Sequence, residues 1–105
     1  MSRVAVVILN YNGKELLEKF LPSVLQFSGD AQIVVADNNS TDGSRDFLQQ
    51  AFPLVTLIPI STNLGFCGGY NFALKQVTAE YYVLLNSDIE VTNNWLEPII
   101  TLLDN

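Results

Sequence analysis

The run Val4-Ala5-Val6-Val7-Ile8-Leu9 constrains this chain more than any other feature. A strand with one wet face alternates apolar and polar residues, and this run has no polar position. It reads as a strand buried on both faces, the usual state of a strand in a parallel sheet with helices on either side. Three further runs repeat the theme: Ile33-Val34-Val35-Ala36, Val55 to Ile60, and Tyr81 to Leu85.

Segments of helical period lie between these runs. Leu16, Leu17, Phe20, Leu21, Val24 and Leu25 share one helical face. Pro22 falls inside that segment and lacks the N–H of an interior position, so a kink or break is expected near Leu21. Phe47, Leu48, Ala51 and Phe52 form a second face, with Ser40 or Thr41 expected to cap it and Pro53 to end it. Ser61 to Gly69 reads as a long glycine-bearing loop. Tyr70, Ala73, Leu74 and Val77 form a third helix face, and Trp95 to Leu103 a fourth helix. The alternation predicts an α/β fold: a Rossmann-like parallel sheet with right-handed crossovers, in three α/β/α layers. With 49% hydrophobic residues in 105, one domain spanning residues 1–105 can build a core.

Ligands of such sheets sit beyond the carboxyl ends of the strands, where strand order reverses. Polar residues gather at those ends: Asn10 and Asn12, Asp37 to Asp42, Asn63, then Asn86 and Asp88. The charge balance narrows the ligand. Eleven acidic residues against 5 basic give a net charge of −6, with no basic stripe for nucleic acid or an anionic membrane. Histidine is absent, which removes imidazole catalysis and His-ligated zinc from this chain. Cys67 is the single cysteine; it forms no internal disulfide and reads as a small buried group without a basic neighbour to activate it. No signal peptide or membrane-length apolar run is visible, so a soluble cytoplasmic protein is expected.

The turn after the first strand holds one glycine, Gly13, where a dinucleotide oxidoreductase needs Gly-x-Gly-x-x-Gly. A Walker A loop is absent, and a phosphoacceptor receiver would carry its acids after the first strand, whereas here they follow the second. The glycines cluster late, in Gly65-Phe66-Cys67-Gly68-Gly69. Such a cluster either lets the backbone approach a ligand or closes a loop and caps a helix.

In order and spacing, four blocks resemble glycosyltransferase family 2, especially its rhamnosyltransferase-like branch. They are Asn10-Tyr11-Asn12-Gly13, then Asp37-Asn38-Asn39-Ser40-Thr41-Asp42-Gly43-Ser44, then Asn63-Leu64-Gly65-Phe66-Cys67-Gly68-Gly69-Tyr70-Asn71, and Leu84-Leu85-Asn86-Ser87-Asp88. The resemblance implies the nucleotide-binding half of a GT-A fold, a nucleotide-diphosphate sugar donor (UDP or dTDP), a divalent cation (Mn²⁺ or Mg²⁺) and inverting transfer to a glycan or lipid-linked acceptor. By the same resemblance, Asp37 accepts a hydrogen bond from a ring N–H of the base. Asn10, Tyr11 and Asn12 lie against that base, and Asn63, Gly65 and Asn71 line the nucleotide. Asp88 holds the cation; Asn86 stands where many relatives have a second acid. Asp42 also matches the motif, and it equally suits the positive end of a helix dipole.

A cation makes electrostatic sense. The only basic residues are Arg3, Lys14, Lys19, Arg45 and Lys75, too few and too scattered to neutralise a diphosphate. The general base that an inverting transferase needs comes, in that family, from a second half beyond this chain's length, and Glu90 and Glu97 do not match it. The chain thus resembles a truncated donor-binding half, expected to lack transferase activity by itself; the full-length enzyme is expected in the cytoplasm or at the inner face of the membrane. Two other readings stay open: a non-catalytic sugar-nucleotide-binding module, and a structural α/β fragment that pairs through an open sheet edge as a homo-oligomer.

Overall fold

The computed structural model describes residues 3–104. Four strands and four helices alternate: β1 (Val4–Asn10), α1 (Lys14–Phe27), β2 (Gln32–Asp37), α2 (Ser44–Ala51), β3 (Thr56–Pro59), α3 (Gly65–Gln76), β4 (Tyr81–Leu85) and α4 (Glu97–Asp104). Every pairing is parallel, and the strand order is β3-β2-β1-β4. β1 therefore has a neighbour on each edge and a helix layer on each face, which is why its run tolerates no polar residue before Asn10.

The topology fixes which helix covers which face. The chain steps from β1 to β2 to β3 in one direction, then returns to lay β4 on the other side of β1. Crossovers of one handedness put their helices on opposite faces when the direction reverses. Accordingly Val4, Val6, Ile8, Ile33 and Val35 pack against Leu17, Leu21 and Val24 of α1 and Leu48 of α2. Ala5, Val7, Val34 and Ala36 pack against Tyr70 and Ala73 of α3. Small residues on this second face let α3 lie close: a Cβ added at Gly69 would meet Leu9 Cδ1 at 2.6 Å. Ile100 of α4 joins the first core from its edge, completing three α/β/α layers.

Several elements differ from the sequence expectation. The helix α1 runs unbroken through Pro22. Leu17, Leu21 and Val24 are each 1% exposed and anchor the helix on both sides of the proline, so burial outweighs one missing hydrogen bond. Ser23 beside it donates to Phe20 O at 2.9 Å and accepts the Val91 N–H at 3.2 Å. The glycine-bearing loop is shorter than expected, because α3 begins at Gly65 and takes Gly68 and Gly69 into its first turns. Neither Ser40 nor Thr41 caps α2. Gly43 precedes it at φ +84°, and Asp42 accepts the Ser44 N–H at 3.0 Å. The last helix starts at Glu97 and buries none of its residues. The anchoring falls to Leu96, at 5% exposure, and to Trp95, whose indole donates to Ser28 Oγ at 2.9 Å. Cys67 is exposed rather than buried, since the face of α3 turned to the sheet is carried by Gly69, Tyr70 and Ala73. Among the described residues no helix is long and apolar enough to cross a membrane.

Pro22 is exposed on its helix, so replacing it disturbs no core contact. Pro22→Ala restores an interior N–H donor and is expected to stabilise the chain by ~1 kcal/mol. The gain falls short of the ~3 kcal/mol interior penalty because the unfolded chain also gains freedom. A rise in the urea midpoint at unchanged slope checks this.

Candidate functional site

The turns after β1 and β2 are interlocked through one buried carboxylate. Asp37 closes β2 opposite Asn10 in the strand register and is 0% exposed. Its Oδ1 accepts from Asn10 Nδ2 at 2.9 Å and from the Ser40 hydroxyl at 2.6 Å. Its Oδ2 accepts from the Ser40 N–H at 3.0 Å and from Arg45 Nε at 2.7 Å. A second Arg45 nitrogen, Nη2, donates to Ile60 O at 2.7 Å, tying the end of β3 to the same group. Burial works to raise this carboxyl's pKa. The donors from Ser40, Arg45 and Asn10 together outweigh it and hold the group below its ordinary value.

Asn10, at 1% exposure, spans both turns, since its own Oδ1 accepts the Gly13 N–H at 3.1 Å. Gly13 is required there: an added Cβ would sit 2.5 Å from that Oδ1. Asn12, at φ +53°, donates its N–H to Ser40 Oγ at 2.9 Å and accepts the Thr41 N–H at 2.7 Å. Asp42 accepts from the Lys14 N–H at 3.1 Å and from the Ser44 N–H and hydroxyl. It thereby serves the first turns of both α1 and α2, the dipole role weighed for it above. Burial opposes its ionisation, and these donors again prevail to lower its pKa.

These contacts define the surroundings of Asp37. It has no accessible surface and both oxygens are engaged, so a ligand N–H reaches it only if one of these donors is released. Tyr11 and Asn12 are exposed in the first turn, as Asn39, Thr41, Asp42 and Gly43 are in the second. Across the sheet, Asn63 accepts the Gly65 N–H at 2.8 Å, and Gly65 opens α3 at φ +75°. Asn63, Gly65 and Asn71 are all exposed.

Strand order reverses between β1 and β4, so the crevice outside their carboxyl ends is the favoured ligand position. The Asn86-Ser87-Asp88 turn leaves β4 there. It lies beside the first turn, with Ser87 Oγ 3.6 Å from a Cβ built on Gly13. Asn86 and Asp88 are exposed. No three potential metal-ligating side chains come together among the described residues. A lone exposed carboxylate suits a Mg²⁺- or Mn²⁺-type ion that arrives with phosphate oxygens, and not an all-protein cage. An open depression of about 670 Å³ beside the first turn of α1 is a poorer candidate, because Glu15, Glu18 and Asp42 in its lining oppose a diphosphate against Lys14 alone.

The sequence reading gave no part in this network to Ser40 or Arg45. Ser40 was expected at a helix cap. Only the fold brings Arg45 back under Asp37, and no spacing rule signals that.

Comparison with known proteins agrees with this fold. The model of the family Glycosyl transferase family 2 matches residues 5–105. The putative teichuronic acid biosynthesis glycosyltransferase TuaG of Bacillus subtilis is 31% identical over 90% of this chain and 39% of its own length. The N-acetylglucosaminyl-diphospho-decaprenol L-rhamnosyltransferase of Mycobacterium tuberculosis is 36% identical over 69% of this chain and 24% of its own. Thus the chain spans roughly a quarter to two-fifths of these relatives' length. Among solved structures, the mannosyltransferase PcManGT of Pyrobaculum calidifontis, in complex with GDP-Man and Mn²⁺, superposes with TM-score 0.76 at 25% identity, over 88% of this chain and 29% of that one. S. aureus TarS 1-349 in complex with UDP-GlcNAc superposes with TM-score 0.82 at 24% identity, over 97% and 31%, a likeness of fold alone.

The Asp37 network predicts acid sensitivity with a definite sign. A carboxyl held below its ordinary value of 3.8 in the folded chain adds stability that is complete above that value. The stability is lost as pH falls through the lowered folded values of Asp37 and Asp42. Asp37→Asn is expected to destabilise by ~2–4 kcal/mol at neutral pH, since it leaves Arg45 without its charge partner and turns an acceptor into a donor. It should also flatten the acid limb of the stability–pH curve, measured by urea unfolding at a series of pH values.

Proposed function

This chain belongs to glycosyl transferase family 2, and we propose that the carboxyl edge of its sheet binds a nucleotide-diphosphate sugar together with a divalent cation. The observation that carries the reading is the meeting, at the one reversal of strand order, of the exposed Asp88 turn with the interlocked turns after β1 and β2. On this reading the base rests against Tyr11 and Asn12, whose geometry Asn10 and Asp37 fix from beneath. Asn63, Gly65 and Asn71 border the nucleotide from the α3 side. Asp88 would supply the protein carboxylate to a Mn²⁺ or Mg²⁺ ion, a type of ion that commonly arrives with phosphate oxygens and waters.

When bound, such an ion neutralises charge that develops on the departing diphosphate. The chain's own residues hold the donor and orient its phosphates, a contribution of position rather than proton transfer. The Arg45 guanidinium, engaged by Asp37 and Ile60, is not offered to the phosphates, which sharpens the need for a cation. The GDP-Man with Mn²⁺ on one structural neighbour supports the ligand class. The sugar then passes with inversion to a glycan or lipid-linked acceptor in the whole enzyme, which works in the cytoplasm or at the inner membrane face. None of the four matched blocks contributes the general base, so this chain alone binds the donor without turning it over.

Isothermal calorimetry with UDP, dTDP and GDP, each with and without Mn²⁺, tests this. Binding is expected to need or be strengthened by Mn²⁺. Asp88→Ala should abolish the Mn²⁺ contribution, and Asp37→Ala should weaken binding through the turns. Failure of every nucleoside diphosphate to bind at millimolar concentration, with or without metal, would sink the donor-site reading.

A further inference from the structure

We propose that Tyr70 is a positioning residue for the cation turn, its buried hydroxyl fixing the point at which Asn86-Ser87-Asp88 leaves the sheet. The proposal rests on the reading of Asp88 given above. Tyr70 lies in the second turn of α3 and is 4% exposed. Its hydroxyl donates to Leu85 O at 3.2 Å. Leu85 is the last residue of β4 and pairs with Ile8; the register extends no further. The Leu85 carbonyl is thus where the turn begins and the ladder with β1 stops. A side chain from the opposite layer takes hold of the backbone there.

The anchor is itself rigidly placed. The start of α3 is clamped to the end of β2 by Asn38, 2% exposed, which accepts the Leu64 N–H at 2.8 Å and donates to Gly65 O at 3.1 Å. The missing side chain at Gly69 lets the helix rest on Leu9. Phe66 packs edge-on against the Tyr70 ring, with centroids 5.0 Å apart. α3 therefore acts as a strut from the base-side turns to the cation turn, with Asn38 at one end and the Tyr70 hydroxyl at the other. Burial raises the phenol above its ordinary pKa, against a smaller opposing effect of a main-chain hydrogen bond at Leu9, so the hydroxyl stays protonated at neutral pH. Filling the core needs only the ring; the hydroxyl is what reaches the turn.

Tyr70→Phe removes the hydroxyl and keeps the ring, and two readouts separate positioning from packing. Backbone order parameters at Ser87 and Asp88 are expected to fall, while those at Asn12 to Lys14 are unchanged. In calorimetry with the nucleoside diphosphate that the unsubstituted chain binds best among UDP, GDP and dTDP, the factor by which Mn²⁺ strengthens binding should fall about three- to tenfold, the effect of losing one ordinary hydrogen bond. Affinity without Mn²⁺ should stay the same. Unchanged order parameters at residues 87 and 88, or an equal loss of affinity with and without Mn²⁺, overturns the role. If Mn²⁺ gives no strengthening in the unsubstituted chain, the Asp88 reading fails and the positioning role falls with it. A loss of order confined to the turn would then show that the anchor exists and that the error lies in the cation.

Discussion

A carboxylate with no exposed surface sits at the end of β2, and the architecture of the sheet's carboxyl edge is organised around it. An isolated buried carboxylate carries a desolvation penalty of several kcal/mol. Asp37 offsets it with four donors drawn from three places: Asn10 at the end of β1, Ser40 in its own turn, and Arg45 in α2. Removing any one of these leaves a charge short of a partner in a dry site, so the turns cannot move independently of the sheet. The positive φ at Asn12 and Asn39, which costs of order 1 kcal/mol or more at each, is held in place by this network.

The second organising constraint is topological. β4 lies beside β1, which reverses the strand order and opens a crevice between two turns that are far apart in sequence. The same reversal sends α3 to the opposite face from α1 and α2. One helix then touches both the Asn38 clamp on β2 and the end of β4. Glycines that looked like loop residues are what allow this: Gly65 supplies a left-handed start, and Gly69 supplies room against Leu9. Glycine within a helix costs about 1 kcal/mol relative to alanine, and here the close approach of helix and sheet compensates.

Much of the fold was legible because burial on both faces forces a compositional signature. The run of β1 announced a central strand, and the four polar turns do lie together at the carboxyl edge of the sheet. The misreadings share one cause. Pro22, Ser40 and the glycine cluster were judged by local rules, and each was overridden by partners distant in sequence: the core contacts of Leu17 and Leu21, the Asp37 carboxylate, and the packing of α3 on Leu9. Cys67 was assigned to the interior on residue type alone, whereas the phase of α3 leaves it outside.

The sequence by itself determined the class of fold, the family, and which residues gather at the carboxyl edge of the sheet, because periodicity and motif order are properties of the linear chain. Tertiary structure alone decided the surroundings of each residue there. Asp37 and Asp88 are both acids at strand ends and look equivalent in the sequence. One is withdrawn beneath the surface by four donors, and the other stands exposed at the reversal of strand order. That difference depends on which groups the fold delivers to each carboxylate, and side chains such as Arg45 and Tyr70 reach their partners only once the sheet and its helices have been assembled.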